Sequence, residues 1–452
     1  MWPGLMMAVL ATGVYSSTDV VRLDVRRTGH AYAGFGANIW PGDLAVARAI
    51  EDLGMTWVRL WAGCPENPPG PDGTREEFDA YWRGHPGADA LRQTARMISR
   101  YKLKTVLCVG SPPSSWLGPG YVLKAEYHSA FARLWGSAVL AHREAGIRPT
   151  YVELYNEPDG FWGIHVSPSD NAALIRKVRA ELDARGFRDV GICGPGTAHA
   201  DWGDAGDPYI NAMDSYTVQA LSAWSNHAWE WNPGRIHAEE GHAYLRTAWP
   251  SVRNAILRKD PGSKRPIIIT EFATKAHAFH GTQYTDQGAG QSDECASDTA
   301  SYAARVVTNA IHLVNGGANA LIVWEGADQS WSNHEWGLMT RPERGSKPRP
   351  VYRALAAVFP LIPVGSKALR VEGDPVCAIA GFARGDRIVV VAANGTSAAR
   401  DVRVTVAGVG TLKRPTIRTF GGATCAVSGS SITLHLPRDA VIAVAATAVP
   451  AP

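Results

Sequence analysis

The chain has 452 residues, of which 45% are hydrophobic, so it is long enough for a large core and for more than one domain. Its 45 basic and 42 acidic residues leave a net charge of only +3, which argues against the basic surface that holds a nucleic-acid backbone. The 16 Trp and 14 Tyr residues suit a sugar partner better, because amphipathic rings pack on the apolar faces of sugars. Any single Trp can equally be a packing residue.

The N-terminal segment, residues 1–16, is an apolar run followed by small residues, with no Lys or Arg ahead of it. This pattern fits either a signal-like segment of a secreted or periplasmic protein or an ordinary first strand of a cytoplasmic one. No other run reaches the roughly 18 apolar residues that span a bilayer, so we expect no integral membrane segment.

The six cysteines form no CxxC pair and have no zinc-ligand spacing, so they do not indicate a metal site. The activity predicted below is expected to need neither a metal nor an organic cofactor. Cys377 and Cys425 could form a disulfide in an oxidising compartment.

From residue 31 to residue 365, short β-rich runs alternate with segments of helical period, as in parallel strands joined by crossover helices. The segment YINAMDSYTVQ, between the fifth and sixth runs, has room for only a short helix. The polar, Gly-rich stretch after the seventh run predicts a loop at the wall of a substrate cleft. The runs number eight, which predicts a (β/α)₈ barrel, and they cover residues 31–40, 56–63, 103–110, 149–157, 189–196, 220–229, 265–273 and 318–326.

After the barrel region, the spacing of hydrophobic residues changes from a helical period to strict alternation. Residues 366–452 contain short alternating runs such as DRIVVVAANG and ARDVRVTVAG, separated by turns, which predict a C-terminal antiparallel β-sandwich. Residues 17–30 also have strand character and are expected to join that sandwich. The barrel would then be an insertion between the first strand and the rest of the β domain.

Two carboxylates close apolar runs of the predicted barrel. Glu157 ends the fourth run and Glu271 ends the seventh. Because all strands of a barrel end at one shared mouth, we expect these two side chains to flank one bond of a bound sugar. Retaining cleavage of a glycosidic bond needs one protonated and one ionised carboxyl group roughly 5–5.5 Å apart.

We assign Glu157 as the acid/base, expecting Pro158 to keep it extended at the strand end, and Glu271 as the nucleophile. Arg59 and His227 are the groups expected to hold Glu271 ionised. Glu153 is expected to form a buried ion pair with an inward base such as Arg59.

The motif N-E-P at 156–158, with Glu271 in T-E-F, resembles retaining glycoside hydrolases of clan A. VELYNEPDG is similar to the motif on the fourth strand of family 39, whereas GFGANIW, GSPPSSWLG and the terminal β domain resemble family 30. The resemblance implies that Asn156 binds the sugar 2-hydroxyl and that Arg59 supports Glu271. His227 and Trp229 match the His-x-aromatic pattern of the sixth strand, with Trp where Tyr is frequent. Trp324 and Trp116 would line sugar-binding subsites.

Several alternatives remain open. Glu325 and Asp328, after the eighth run, are either substrate contacts or loop anchors. The whole chain could be a catalytically silent carbohydrate-binding barrel. A metal-dependent hydrolase or an aldolase would need His-x-His ligands or a strand-end lysine, and neither occurs at the strand ends named above. The sequence thus predicts a retaining O-glycosidase that acts on a β-linked oligosaccharide or polysaccharide.

Overall fold

The computed structural model of the chain describes residues 19–64, 67–84, 87–160, 163–199, 206–229, 244–262, 265–274, 296–329 and 335–450. The signal-like segment and most of the predicted loop after the seventh barrel strand lie outside these residues. None of the described helices is long and apolar enough to cross a membrane.

The first strand of the described residues is β1 (Asp19–Ala31), and the next eight strands close into a parallel barrel, as predicted. The base of the barrel is filled by buried side chains that include Trp57, Val106, Cys193 and Ile268. The barrel strands are β2 (Gly34–Ile39), β3 (Trp57–Trp61), β4 (Lys104–Cys108), β5 (Tyr151–Glu153), β6 (Gly191–Pro195), β7 (Ala223–Trp229), β8 (Ile267–Ala273) and β9 (Ala320–Val323).

Helices connect the strands on the outside of the barrel. Their ends follow from local side chains: Ser167 accepts a hydrogen bond from the backbone N–H of Asp170, which caps the helix that begins at Pro168. The helices are α1 (Val46–Leu53), α2 (Arg75–Arg83), α3 (Ala88–Tyr101), α4 (His128–Glu144), α5 (Pro168–Ala184), α6 (Pro208–Ala212), α7 (Ser215–Ala220), α8 (Tyr244–Lys259), α9 (Ala300–Asn315) and α10 (Pro350–Val358).

The region between the fifth and sixth barrel strands contains two short helices, α6 and α7. Each is capped by an aspartate, Asp207 and Asp214, whose carboxylate accepts hydrogen bonds from the first N–H groups of the helix. These caps explain why a segment with a weak helical pattern still forms helices.

The C-terminal strands join β1 in one sheet of nine strands that is mostly antiparallel, which confirms the predicted β domain. β1 lies between β10, to which it is antiparallel, and β13, to which it is parallel. The two end strands of the sheet, β14 and β15, contact each other, so the sheet curls around its own core. The strands are β10 (Lys367–Glu372), β11 (Ala378–Arg384), β12 (Arg387–Ala393), β13 (Arg400–Ala407), β14 (Thr411–Phe420), β15 (Thr424–Ser428), β16 (Ser431–Leu436) and β17 (Val441–Val449).

The alternation of buried and exposed side chains along β13 shows why the C-terminal strands form a sheet with one face in the core. Val402, Val404 and Val406 are fully buried, whereas Arg403 between them is exposed. The disulfide considered between Cys377 and Cys425 is absent, and both residues are free thiols.

Candidate active site

Glu157 and Glu271 meet at the mouth of the barrel. Glu271 lies near the end of β8, and Glu157 lies in the turn that follows β5. Both are almost buried, with 7% and 5% of their surface exposed. One oxygen of each carboxylate and a ring nitrogen of His227 all lie within 4.8 Å of one another.

Glu271 accepts hydrogen bonds from two buried N–H donors. The Nη1 atom of Arg59 lies 3.2 Å from Oε2, and the Nε1 atom of Trp229 lies 2.9 Å from Oε1. The contact expected between Arg59 and Glu271 is therefore present. The indole of Trp229 donates at this carboxylate, although the sequence alone did not assure a donor at that position.

Arg59 is completely buried, and its guanidinium connects several polar groups at the mouth. Its Nε atom donates to Glu153 over 2.7 Å, which is the ion pair expected from the sequence. Its Nη2 atom donates to Oδ1 of Asn156 over 2.9 Å, and its Nη1 atom also donates to Oδ1 of Asn38 over 3.0 Å. The planar fork of an arginine suits this many partners, and each partner in turn fixes the guanidinium beside Glu271.

Glu153 supports this arrangement from below. Its Oε1 atom accepts hydrogen bonds of 2.7 Å from the hydroxyl groups of Ser225 and Thr270. A buried carboxylate is stable only when it is paired and hydrogen-bonded, and Glu153 meets both conditions. Glu153 therefore has the structural role that the sequence predicted, as a partner of Arg59.

His227 differs from the expectation. Its Nδ1 atom lies 2.8 Å from Oε1 of Glu157 but 3.7 Å from Glu271, so it hydrogen-bonds the predicted acid/base and not the predicted nucleophile. It is fully buried, which also argues against the substrate contact assigned to it. The other ring nitrogen, Nε2, has no hydrogen-bond partner among the described residues.

The backbone at Glu157 is also unlike the prediction. Its φ is +51°, so it is left-handed and not extended, although Pro158 follows it. This conformation costs a residue with a side chain about 1–2 kcal/mol. Hydrogen bonds of the turn hold it in place: the N–H of Gly160 donates to the carbonyl of Glu157, and Tyr209 donates to that of Pro158. Asn156 Nδ2 donates to the Glu157 carboxylate over 3.3 Å.

The charges at the mouth shift two pKa values. Burial alone would lower the pKa of His227, but the carboxylates of Glu271 and Glu157 outweigh it, and the pKa is raised. The pKa of Glu271 is raised as well, because burial and the charge of Glu157 outweigh the stabilisation of its ionised form by His227, Arg59 and Trp229. Both shifts therefore favour the protonated form of the group concerned.

Three indole rings form a group at one side of the mouth. Trp324 lies edge-on to Trp40 and Trp61, with 5.3 and 5.4 Å between ring centroids. It is partly exposed, as a subsite residue must be, and its Nε1 atom has no hydrogen-bond partner among the described residues. Trp61 donates to Asn38 over 3.0 Å.

Trp116 does not occupy the predicted subsite. It is 1% exposed, its ring stacks on Tyr127 with 5.0 Å between centroids, and it is T-shaped to Phe78 with 6.0 Å between centroids. The ring is buried among these aromatic side chains, so we correct its assignment to a core residue.

Glu325 and Asp328 have different surroundings. Asp328 accepts a 2.5 Å hydrogen bond from the buried Arg349 and a 2.7 Å hydrogen bond from the N–H of Gly337, so it anchors the loop after β9. Glu325 is 2% exposed, and burial together with the neighbouring charges of Asp328 and Asp43 raises its pKa well above the usual range.

The sequence analysis missed Asn38 and the neighbours Trp40 and Trp61. Asn38 is fully buried in β2, and its Nδ2 atom donates to the carbonyls of Thr270 and Val323 over 3.1 and 3.2 Å. The available signal was a single polar residue inside the apolar run GFGANIW, the same signal that identified Arg59 within β3.

No protein-family model and no curated protein matches the chain. Solved structures do match its fold. A family 30 subfamily 8 xylanase from Clostridium acetobutylicum is 15% identical, with a TM-score of 0.68 over 94% of this chain and 99% of that chain. A family 30 endoxylanase from Clostridium papyrosolvens is 17% identical, with a TM-score of 0.68 over 94% and 99%. A family 51 arabinofuranosidase from Xanthomonas axonopodis pv. citri is 13% identical, with a TM-score of 0.68 over 95% and 100%. The chain thus has the fold of these glycoside hydrolases, and the expected resemblance to family 30 is confirmed as one of structure.

Proposed function

We propose that the protein is a retaining glycoside hydrolase in which Glu271 is the nucleophile and Glu157 the acid/base. The observation that carries this proposal is the close approach of the two carboxylates, since one oxygen of Glu157 lies within 4.8 Å of one oxygen of Glu271. Inverting enzymes need roughly 6.5–9.5 Å between the carboxyl groups to admit a water molecule, whereas retaining enzymes need roughly 5–5.5 Å.

The different neighbours of the two carboxylates support the division of roles. Arg59 and Trp229 both donate to Glu271, and neither can accept a proton from it, so they favour its ionised form. Glu157 instead faces His227, a group that can take up and release protons. Burial is the main cause of the raised pKa of Glu271, and the charge of Glu157 adds to it. When the pair Glu157–His227 holds a proton, the contribution from Glu157 is relieved, while the two donors to Glu271 remain.

The chemistry follows in two displacements. Glu271 attacks the anomeric carbon while Glu157 gives its proton to the departing glycosidic oxygen, and a covalent glycosyl ester forms on Glu271. Glu157, now ionised, takes a proton from water. The water oxygen then attacks the same carbon, the ester bond breaks, and Glu271 returns as a carboxylate. No metal or organic cofactor takes part in this scheme.

The substrate class proposed is a β-linked oligosaccharide or polysaccharide. Asn156, held by Arg59 and partly exposed, is in place to bind the 2-hydroxyl of the sugar, and Trp324 offers a ring for its apolar face. Because two of the structures with this fold are xylanases, xylan and aryl β-xylosides are the first substrates to test.

The test combines product analysis with variants. NMR of the product first released is expected to show the same anomeric configuration as the substrate. Glu271→Ala is expected to lose activity by several orders of magnitude, and Glu157→Gln to lose far more on substrates with poor leaving groups than on activated aryl glycosides. Glu181→Gln is the matched control, since Glu181 is also buried but pairs with Arg75 and Arg185 away from the mouth. An inverted product would contradict the mechanism, and binding of oligosaccharides without any release of sugar would favour the silent barrel.

A further inference from the structure

A second concave site lies at the opposite end of the barrel from the two glutamates. It is bounded by β1 and β10 of the β domain, by α8, and by the start of β8, and its volume of about 900 Å³ is within the usual range for ligand sites. We call it the basal groove. Ile267 on its floor is four residues before Glu271 on β8, so the groove and the catalytic mouth are roughly 13 Å apart along that strand.

The charged side chains that line the basal groove are cations. Five lysine and arginine side chains face it, and no aspartate or glutamate does so among the described residues. Two of the five are already neutralised, because Arg27 pairs with Glu372 and Arg265 pairs with Asp260. The other three are Arg253, Lys367 and Arg370, and none of them has a carboxylate within 4 Å in the described part of the chain.

Charges of one sign that line a concave surface concentrate the field within it. The groove therefore attracts an anionic group, which arginine can hold through paired hydrogen bonds. None of the described residues that line it is a Phe, Tyr or Trp, so a ligand would be recognised through its charge and its polar groups and not by stacking.

His30 adds a second requirement on the ligand. Burial, together with the charges of Arg253 and Lys367, lowers the pKa of His30 to about 4, so the imidazole is neutral at pH 7. Its Nε2 atom is buried and has no hydrogen-bond partner among the described residues. A neutral imidazole adds no charge that would hold a simple anion, but one of its ring nitrogens accepts a hydrogen bond from a hydroxyl group.

The ligand must then carry an anionic group and a hydroxyl donor close together. The side-chain amides that also line the groove already form hydrogen bonds within the protein. Asn319 accepts one from the N–H of Ile267 and donates one to the carbonyl of Ala31, and Asn315 donates one to the carbonyl of Ile379. We propose that the basal groove binds acidic sugar units of a polysaccharide, with a carboxylate at Arg253, Lys367 and Arg370 and a ring hydroxyl at His30. This binding does not depend on the hydrolysis proposed for the other end of the barrel.

The test is calorimetric titration of the full chain with an oligogalacturonate of defined length. We expect binding that weakens as salt is added and that a saturating neutral xylo-oligosaccharide does not displace. The triple variant Arg253→Gln, Lys367→Gln, Arg370→Gln is expected to lose at least about tenfold in affinity. The matched control replaces Arg403, Lys413 and Arg414, which are exposed on the β domain; it removes the same charge and is expected to bind as the wild type does.

His30→Phe separates a sugar from a simple anion. We expect this variant to bind the oligogalacturonate more weakly and to bind inorganic sulfate as the wild type does. Thermal melts would check that the variant is folded. Equal affinity of the groove variant and the control variant would overturn the proposal. So would displacement by the neutral oligosaccharide, sulfate binding as tight as that of the oligogalacturonate, or tighter binding of a single-stranded oligonucleotide through the same three side chains. All of these readouts measure binding without turnover, so a failure of the proposed hydrolase activity would be seen separately.

Discussion

The indole nitrogen of Trp229 donates a 2.9 Å hydrogen bond to Oε1 of Glu271. An indole N–H is a donor with no acid–base function near neutral pH, so this contact stabilises the carboxylate without offering it a proton.

Trp229→Phe tests the contribution of this hydrogen bond. Removing a neutral donor from a buried carboxylate costs about 1.5–3 kcal/mol, so we expect kcat/KM to fall about 10- to 100-fold. The measurement is steady-state kinetics with an aryl glycoside. Trp116→Phe is the control, because Trp116 is buried and its described ring contacts are with Phe78 and Tyr127, away from Glu271. It should lower the Tm and leave kcat/KM unchanged. Equal activity of Trp229→Phe and the wild type would remove Trp229 from the site.

Two fully buried arginines allow structural and catalytic effects to be separated. Arg59 contacts Glu271 and Glu153, whereas Arg349 pairs with Asp328. Arg59→Gln and Arg349→Gln each leave a buried carboxylate unpaired, and we expect each to lower the free energy of unfolding by about 3–5 kcal/mol.

Only Arg59→Gln should lower kcat/KM per folded molecule. Arg59→Lys keeps the charge, and we expect it to fold and to retain part of the activity. Chemical denaturation and kinetics on the same preparations measure both effects. A loss of kcat/KM in Arg349→Gln equal to that in Arg59→Gln would show that the effect is one of folding.

Gly196 lies against the carboxylate that holds Arg59. Its φ is +70°, and a Cβ atom there would be 3.0 Å from Oε1 of Glu153. Gly196→Ala should displace Glu153, and with it Arg59, and so reduce activity as well as stability.

Gly186→Ala is a close control for this change. Gly186 has a φ of +78° and open space around its Cβ position. Gly186→Ala therefore places a side chain in left-handed backbone without a contact to any neighbouring atom. We expect Gly186→Ala to lower the free energy of unfolding by about 1 kcal/mol with kcat/KM unchanged. If the two variants behave alike, the contact with Glu153 has no catalytic consequence.

The raised pKa of His227 predicts a pH-dependent contribution to stability. A folded-state pKa above 6.5 means that folded His227 keeps its proton where the unfolded chain has lost it. This stabilisation is fully present below pH 6.5 and disappears as the pH rises through the folded-state pKa.

The difference in free energy of unfolding between the wild type and His227→Asn should therefore shrink as the pH rises above 6.5. Urea denaturation at several pH values measures it, with His435→Asn on the exposed face of β16 as the control. A difference that grows with pH would show that His227 is neutral in the folded protein.

Glu157, His227 and Glu271 also have the composition of a three-ligand metal site. Arg59 already places a positive charge 3.2 Å from Glu271, which opposes a divalent cation at that carboxylate. We expect no stoichiometric metal by elemental analysis and full activity after dialysis against a chelator. Activity lost on chelation and restored by Zn²⁺ would instead identify a metal-dependent hydrolase.

The eight barrel strands and the position of Glu271 could be predicted from the sequence because apolar runs and strand ends follow simple periodic rules. The pairing of Arg59 with Glu153 could also be predicted, since a buried cation needs a buried anion. His227 and Trp229 are two residues apart on β7 and share a face. Which carboxylate each of them reaches depends on the left-handed turn at Glu157, and no pattern in the sequence encodes that φ. Trp116 was misassigned because the sequence does not distinguish a stacking indole from a packed one.

β1 has a further consequence for how this chain is made. It is the first strand in the described part of the chain, yet its neighbours are β10 and β13, whose pairing residues lie more than 300 positions later. During synthesis the whole barrel emerges before either edge of β1 finds its partner, so the slowest contacts of the molecule are these long-range ones. For the same reason, one cut cannot separate the two domains: removing residues 366–450 would leave β1 on the barrel with both edges bare, a template for aggregation.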